Sequence, residues 1–287
     1  MMFYESENNE MAEQLKNNVT ISNISNFALA ETLDCGQAFR WKENPDGSFT
    51  GVAHGKAVSL SLCGSDLTIS GITQDEYKQT WEKYFDLSRD YAAIKTSLSS
   101  LHPTMKKAAD FAPGIRILNQ EPWEALCSFI ISQNNNIPRI KLIIDRLCRE
   151  YGDEINDALY AFPSADTIAA MTAEQLAPIR AGFRARYIID AAKKVSSGEV
   201  LLEPLRTAPI NDARTELMKI TGVGIKVANC TLLYGLHRLD CFPMDVWMKR
   251  AMAVLFPELT PEDFGEYGGI AQQYIFHYSR MHPELFE

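Results

Sequence analysis

The segment Leu217 to Arg250, LMKITGVGIKVANCTLLYGLHRLDCFPMDVWMKR, restricts the fold of this chain more than any other stretch. Leu217 and Ile220 before the turn Thr221-Gly222-Val223-Gly224, and Val227, Leu232 and Leu233 after it, put apolar side chains on single helical faces, so two short helices can pack as a hairpin. Gly222 and Gly224 permit backbone conformations that a side chain would hinder, and they leave amide N–H groups bare at the start of the second helix. Such an end attracts a phosphate through its donors and its dipole. A plain helix corner, with glycine serving packing alone, is the alternative. Lys226, two residues past the second glycine, and Asp245, after Pro243 and Met244, favour phosphate-backbone binding joined to amine chemistry.

Most lysines are solvated surface charges. Lys226, however, leaves the first turn of a helix beside Val223, Val227 and Ala228, and an amine partly withdrawn from water there is more available as a nucleophile. Asp245 opens a further helical run through Val246, Met248 and Arg250. It reads as a helix N-cap and equally as a carboxylate that stabilises developing positive charge, two roles that are compatible.

Three other segments belong with this one: Gly36-Gln37-Ala38-Phe39-Arg40-Trp41, Asn134-Asn135-Asn136-Ile137-Pro138-Arg139-Ile140 and Gly182-Phe183-Arg184-Ala185-Arg186-Tyr187. Residues 217–250 resemble the helix-hairpin-helix, loop and aspartate of the base-excision DNA glycosylase superfamily, and the four segments together resemble the 8-oxoguanine DNA glycosylase/AP lyases. The likeness spans roughly residues 20–285 in the same order, which is far more specific than any one motif.

The resemblance implies that Lys226 attacks the sugar C1′ with help from Asp245, expels the base and leaves a Schiff base from which the 3′ phosphate is eliminated. It implies a base pocket in which the Gly36 carbonyl accepts the extra N7–H of 8-oxoguanine, Gln272 bonds the pairing edge, and Cys230 and Phe276 sandwich the ring; read without it, Cys230 and Phe276 are ordinary core residues. Asn134 resembles the residue that fills the gap left by a flipped nucleotide, and Arg139 and Arg184 resemble the arginines that read the estranged cytosine. Without the likeness, a helix cap and phosphate contacts are the simpler readings. Phe183 stands where animal members have tyrosine, and Trp247 where they have histidine, so opposite-base preference and contacts near the 5′ phosphate are expected to differ.

The chain has 287 residues, 46% of them apolar, enough for two cores. No basic-then-apolar leader and no apolar run of membrane-spanning length is present, so a soluble, intracellular protein is expected, cytoplasmic or nucleoid-associated if bacterial. Six scattered cysteines, none after Cys241 and none in a C-x-x-C pair, suggest neither a disulfide framework nor a metal site. The net charge of −9 is uneven, with 19 Lys+Arg against 17 Asp+Glu in residues 105–250 and 9 against 20 in the flanks, which puts a DNA face in the middle of the chain.

Residues 1–18 read as a flexible tail. Alternation at Val58, Leu60 and Leu62 and at Leu67 and Ile69 indicates an antiparallel sheet in a domain over 19–115. The rest, 116–287, is helical: Ile137, Ile140, Ile144, Leu147 and Tyr151 form a buried stripe with Arg139, Lys141 and Arg146 off it, and the helix-hairpin-helix falls at 213–235. The expected class is α+β, an N-terminal antiparallel sheet domain with helices followed by a mainly helical catalytic region. The expected function is a monomeric bifunctional glycosylase/AP lyase acting on 8-oxoguanine in duplex DNA without metal or organic cofactor. A sister glycosylase for alkylated purines or oxidised pyrimidines, and a non-catalytic DNA-binding module, are the alternatives.

Overall fold

The computed structural model describes residues 17–286. The tail expected over 1–18 lies outside them as far as position 16, and Asn18 already opens a strand. Five antiparallel strands, β1 (Asn18–Ile21), β2 (Trp41–Glu43), β3 (Phe49–Ala53), β4 (Lys56–Cys63) and β5 (Asp66–Ser70), form one sheet in the order β1-β5-β4-β3-β2. Its register places Leu60 opposite both Phe49 and Ile69, and Ile69 opposite Val19. These residues, with Val58 and Leu67, make one buried face while Ser61 points to solvent. A helical stretch over 74–84 with a π turn at Tyr77–Trp81 covers that face with Trp81 and Tyr84, and Phe85 follows. Strand β1 escaped the sequence reading because Val19 and Ile21 give only two alternating positions beside a polar segment.

A short helix α1 (Leu29–Leu33) precedes the loop that carries Gly36. The buried Gln37 fixes that loop: its Nε2 donates to the carbonyls of Thr32 (2.8 Å) and Arg116 (2.7 Å), and its Oε1 accepts from Leu118 N (2.9 Å). The remaining helices are α2 (Tyr91–Leu101), α3 (Pro103–Phe111), α4 (Pro122–Ile131), α5 (Ile137–Tyr151), α6 (Ala165–Ala169), α7 (Arg184–Ser196), α8 (Ile210–Leu217), α9 (Ile225–Tyr234), α10 (Val246–Leu255) and α11 (Gly268–Met281). A hairpin of β6 (Glu154–Asn156) and β7 (Leu159–Tyr160) follows α5. Tyr91, Ile94, Leu98, Met105 and Ala108 of α2 and α3 pack into the helical core, while the sheet core takes residues up to Leu87 and then Leu118.

Two helices form the centre of the helical layer. Helix α4 is buried from Ala125 to Ile131 and α9 from Val227 to Tyr234, the pattern of helices enclosed on all sides. Gly235 lets them approach, because a Cβ there would meet Ala125 Cβ at 2.8 Å. Helix α5, by contrast, buries one stripe, Ile140, Ile143, Ile144, Leu147 and Cys148, with Ile137 and Tyr151 half-buried at its ends. Among the described residues no helix is long and apolar enough to cross a membrane.

Candidate active site

A cleft of about 430 Å³ opens between the Gly36 loop, the ends of α4 and α9, the start of α10 and the inner face of α11. It brings together Gly36, Lys226, Cys230, Asp245, Gln272 and Phe276, six residues drawn from segments up to 240 positions apart. The sequence reading had not singled out Phe129, Ser132, Tyr234 or Arg280, which line the same cleft.

Lys226 sits in the first turn of α9, half-buried. Its Nζ donates to Ser132 Oγ (3.2 Å) and lies 5.5 Å from the centre of the Phe129 ring. One turn further along α9, Cys230 is buried; burial raises its thiol above the ordinary range, Lys226 pulls it down and Asp245 pushes it up, so both charges act on this sulfur. Asp245 is the N-cap of α10, where its Oδ1 accepts from Met248 N (2.7 Å). Capping thus anchors a carboxylate at the cleft wall. Lys226 and Asp245 both line the cleft, and among the described residues no ion pair joins them. Trp247 donates to Ser279 Oγ (2.9 Å) and so ties α10 to α11.

Gly36 needs to be glycine. Its φ is +93°, and a Cβ would meet Ile137 Cδ1 at 3.3 Å and Phe276 Cε1 at 3.4 Å. Gln272 is buried and faces the cleft beside Tyr234, whose hydroxyl oxygen is 3.1 Å from Gln272 Oε1 and 2.6 Å from Gln273 Oε1. Tyr234 also stacks on Phe129, with ring centres 5.1 Å apart.

The turn between α8 and α9 has two unlike glycines. Gly222 has φ +80° and its missing Cβ makes room for the Tyr187 ring at 2.4 Å, whereas Gly224 is extended with open space where a Cβ would be. The expectation that both glycines relieve the backbone therefore holds for Gly222 alone; at Gly224 the absence of a side chain uncovers the start of α9, which no side chain caps. Val223 is buried between them. Asp190 secures the turn by accepting from Thr221 N (2.7 Å) and pairing with Lys194 (3.1 Å). Burial opposes its charge, but the Thr221 amide and Lys194 together hold its carboxyl below the ordinary value. Ile225 and Val246, the residues after Gly224 and Asp245, are exposed apolar side chains.

At the cleft rim, the Asn134 to Asn136 run has a distinct role for each residue. Asn134 is exposed with φ +47°, Asn135 Nδ2 donates to Ile131 O (3.1 Å), and Asn136 caps α5 by accepting from Arg139 N (3.0 Å). Arg139 and Phe183 are exposed. Arg184, expected beside Arg139 as a reader of the estranged cytosine, has its donors occupied within the protein. It is buried, and its guanidinium uses four of its N–H groups on backbone carbonyls: Nε on Gln133 O (2.7 Å), Nη1 on Ala181 O (3.2 Å), and Nη2 on Gln133 O and on Asn134 O (2.9 Å). It holds the loop that presents Asn134. Burial, and then the neighbouring charge of Arg139, work against its own charge.

Among the described residues no cluster of three or more histidine, cysteine, aspartate or glutamate side chains is placed to hold a metal ion.

Residues 19–126 match the family model of the 8-oxoguanine DNA glycosylase N-terminal domain, and residues 127–262 match that of the HhH-GPD superfamily of base excision DNA repair proteins. An N-glycosylase/DNA lyase of Saccharomyces cerevisiae is 34% identical over 79% of this chain and 68% of its own length. An N-glycosylase/DNA lyase of Arabidopsis thaliana is 29% identical over 87% of this chain and 76% of its own. Among solved structures, the 8-oxoguanine glycosylase/lyase of Clostridium acetobutylicum, in complex with double-stranded DNA containing cytosine opposite 8-oxoguanine, superposes with a TM-score of 0.87 at 39% identity, covering 93% of this chain and 97% of that one.

Proposed function

The chain belongs to the 8-oxoguanine DNA glycosylase family of the HhH-GPD base excision repair superfamily, and we propose that it works through Lys226 and Asp245 at the cleft described above. It is a bifunctional enzyme, a DNA N-glycosylase that releases 8-oxoguanine and a lyase that cleaves the abasic strand. The observation that carries the assignment of residues is the meeting of one amine, one capping carboxylate and a base-sized recess in a single cleft.

In this reading the damaged nucleotide leaves the stack and enters the cleft. The neutral Lys226 amine attacks C1′ as the glycosidic bond breaks; the bonding pair departs with the base, which takes up a proton. Asp245, at the start of α10, sets its carboxyl group against the positive charge that develops on the sugar. Ring opening gives the imine between Lys226 and C1′, loss of a C2′ proton expels the 3′ phosphate, and water returns the free amine. Gly36, Cys230, Gln272 and Phe276 form the base pocket. The uncapped start of α9, with Gly222, Val223 and Gly224, takes a backbone phosphate, and Asn134, Arg139 and Phe183 occupy and read the vacated stack, with Arg184 behind them. The partner is duplex DNA, met by a monomer inside the cell.

Borohydride reduction tests the reading directly. The wild-type protein is expected to become covalently trapped on an 8-oxoguanine duplex, and Lys226→Gln to abolish trapping and base release while duplex binding persists. Trapping retained in the variant would move the chemistry to another amine.

A further inference from the structure

Tyr234 faces two amide groups with one hydrogen. Its hydroxyl oxygen lies 2.6 Å from Gln273 Oε1 and 3.1 Å from Gln272 Oε1, yet a phenol donates once. Gln273 has no choice of orientation, because its Nε2 donates to the Cys35 carbonyl (3.0 Å), and turning the amide round would set two oxygens against each other there. Tyr234 therefore gives its hydrogen to Gln273. A second carbonyl oxygen held against the same phenol would be a buried acceptor without a donor, which costs roughly 1–3 kcal/mol. The two ends of an amide are nearly the same size, and the end that satisfies Tyr234 is the Gln272 Nε2, donating into the free lone pair of the phenol. Its carbonyl oxygen is then the atom left for the cleft.

We infer that Tyr234 and Gln273 are positioning residues that lock the Gln272 amide with its carbonyl oxygen toward the cleft, so that the cleft takes purines carrying hydrogen on N1 and rejects those with a bare N1. The inference rests on the reading of the cleft as an oxidised-purine pocket. A guanine-type edge offers donors at N1 and the exocyclic N2, both of which a carbonyl oxygen can accept. An adenine-type edge puts an acceptor at N1, and oxygen would face lone pair. The chain Cys35 carbonyl, Gln273, Tyr234, Gln272 is made of buried residues, where a misdirected hydrogen bond costs most. Burial also raises the Tyr234 phenol well above its ordinary range, which keeps it a donor. Stacking on Phe129 holds its ring in place.

The test compares single-turnover excision of 8-oxoguanine and of 8-oxoadenine, each opposite cytosine, together with borohydride trapping on a preformed abasic duplex, for the wild type, Tyr234→Phe and Gln273→Leu. The phenylalanine keeps the stack and loses the hydrogen; the leucine redirects the Tyr234 hydrogen to Gln272 and turns its amide over. In both, the ratio of 8-oxoguanine to 8-oxoadenine rates is expected to fall about tenfold or more, the effect of one misdirected hydrogen bond, with abasic trapping nearly unchanged. A preserved ratio in both variants, or abasic trapping that declines in step with excision, would overturn the inference. A wild type without 8-oxoguanine excision would instead defeat the functional reading before any variant is compared.

Discussion

Lys226 Nζ and Ser132 Oγ stand 3.2 Å apart, and the serine hydroxyl in turn donates to Phe129 O (2.8 Å) at the end of α4. With its hydrogen directed at that carbonyl, Ser132 offers the amine a lone pair, so it fixes where Nζ sits and which way its N–H groups point. Ser132→Ala is expected to slow trapping on an abasic duplex about tenfold, the loss of one orienting hydrogen bond, with no change in thermal midpoint beyond a few degrees. A rate equal to wild type in rapid-quench trapping would show that the α9 backbone alone aims the lysine.

Asp245→Asn keeps an N-cap of equal strength and removes the charge. Base excision is expected to fall by about two to three orders of magnitude, the scale of losing one electrostatic stabiliser, while thermal unfolding stays close to wild type. Near-normal single-turnover rates would reduce Asp245 to a cap.

Gly36→Ala forces a Cβ into a position with φ +93° and neighbours at 3.3 and 3.4 Å, one of them the Phe276 ring. The recess for the base narrows while the amine is untouched. Excision of 8-oxoguanine is expected to drop at least about tenfold, given strain of order 1–3 kcal/mol, with abasic trapping preserved; equal losses in the two assays would place Gly36 outside the base pocket.

The two arginines at the rim should separate. Arg139 is exposed and free to reach a base edge, so Arg139→Ala should lower excision opposite cytosine and leave the other opposite bases nearly unchanged, at about 1–3 kcal/mol for a lost bidentate contact. Arg184 anchors the carbonyls of Gln133 and Asn134, so Arg184→Ala should lower the thermal midpoint and slow excision opposite all four bases alike. Single-turnover rates on four duplexes decide between these patterns; a cytosine-specific loss in Arg184→Ala would mean that the guanidinium leaves its carbonyls when DNA binds.

Asp190 gives the hairpin turn a pH dependence. Its folded carboxyl lies below the ordinary 3.8, so it titrates at lower pH in the folded chain than in the unfolded one. Its contribution is therefore complete above the unfolded value and is lost as pH falls toward the folded one. Thermal midpoints recorded from pH 7 down to about 3 should fall more steeply for the wild type than for Asp190→Asn below about pH 4; parallel curves would remove Asp190 from the turn's stability.

The legible parts of the fold are those with local causes. The α5 stripe needed only spacing, and the hairpin turn needed only two glycines between apolar runs. The assignment of α2 and α3 to the helical core was hidden, because a buried helical face does not say which neighbour buries it. Within the site, Gly36, Lys226, Cys230, Asp245, Gln272 and Phe276 were named from motifs, whereas Ser132 and Tyr234 act through partners 94 and 38 positions away. One signal was available: Gln272 and Gln273 interrupt the otherwise apolar run Ile270 to Ile275, and buried amides require partners. Arg184 shows the opposite limit. Its residue type indicates donors, but only the fold reveals that backbone carbonyls already take them.

The Gly36 loop and the Cys35 carbonyl come from the sheet half of the chain, while the amine and the carboxylate come from α9 and α10. Identification of the lesion is thus shared, with the Gly36 loop from one half facing Cys230, Gln272 and Phe276 from the other, while breakage of the bond belongs to the helical half alone. Damage to the loop–sheet seam at Gln37 would therefore blunt the choice of base before it touched the means to cut a sugar.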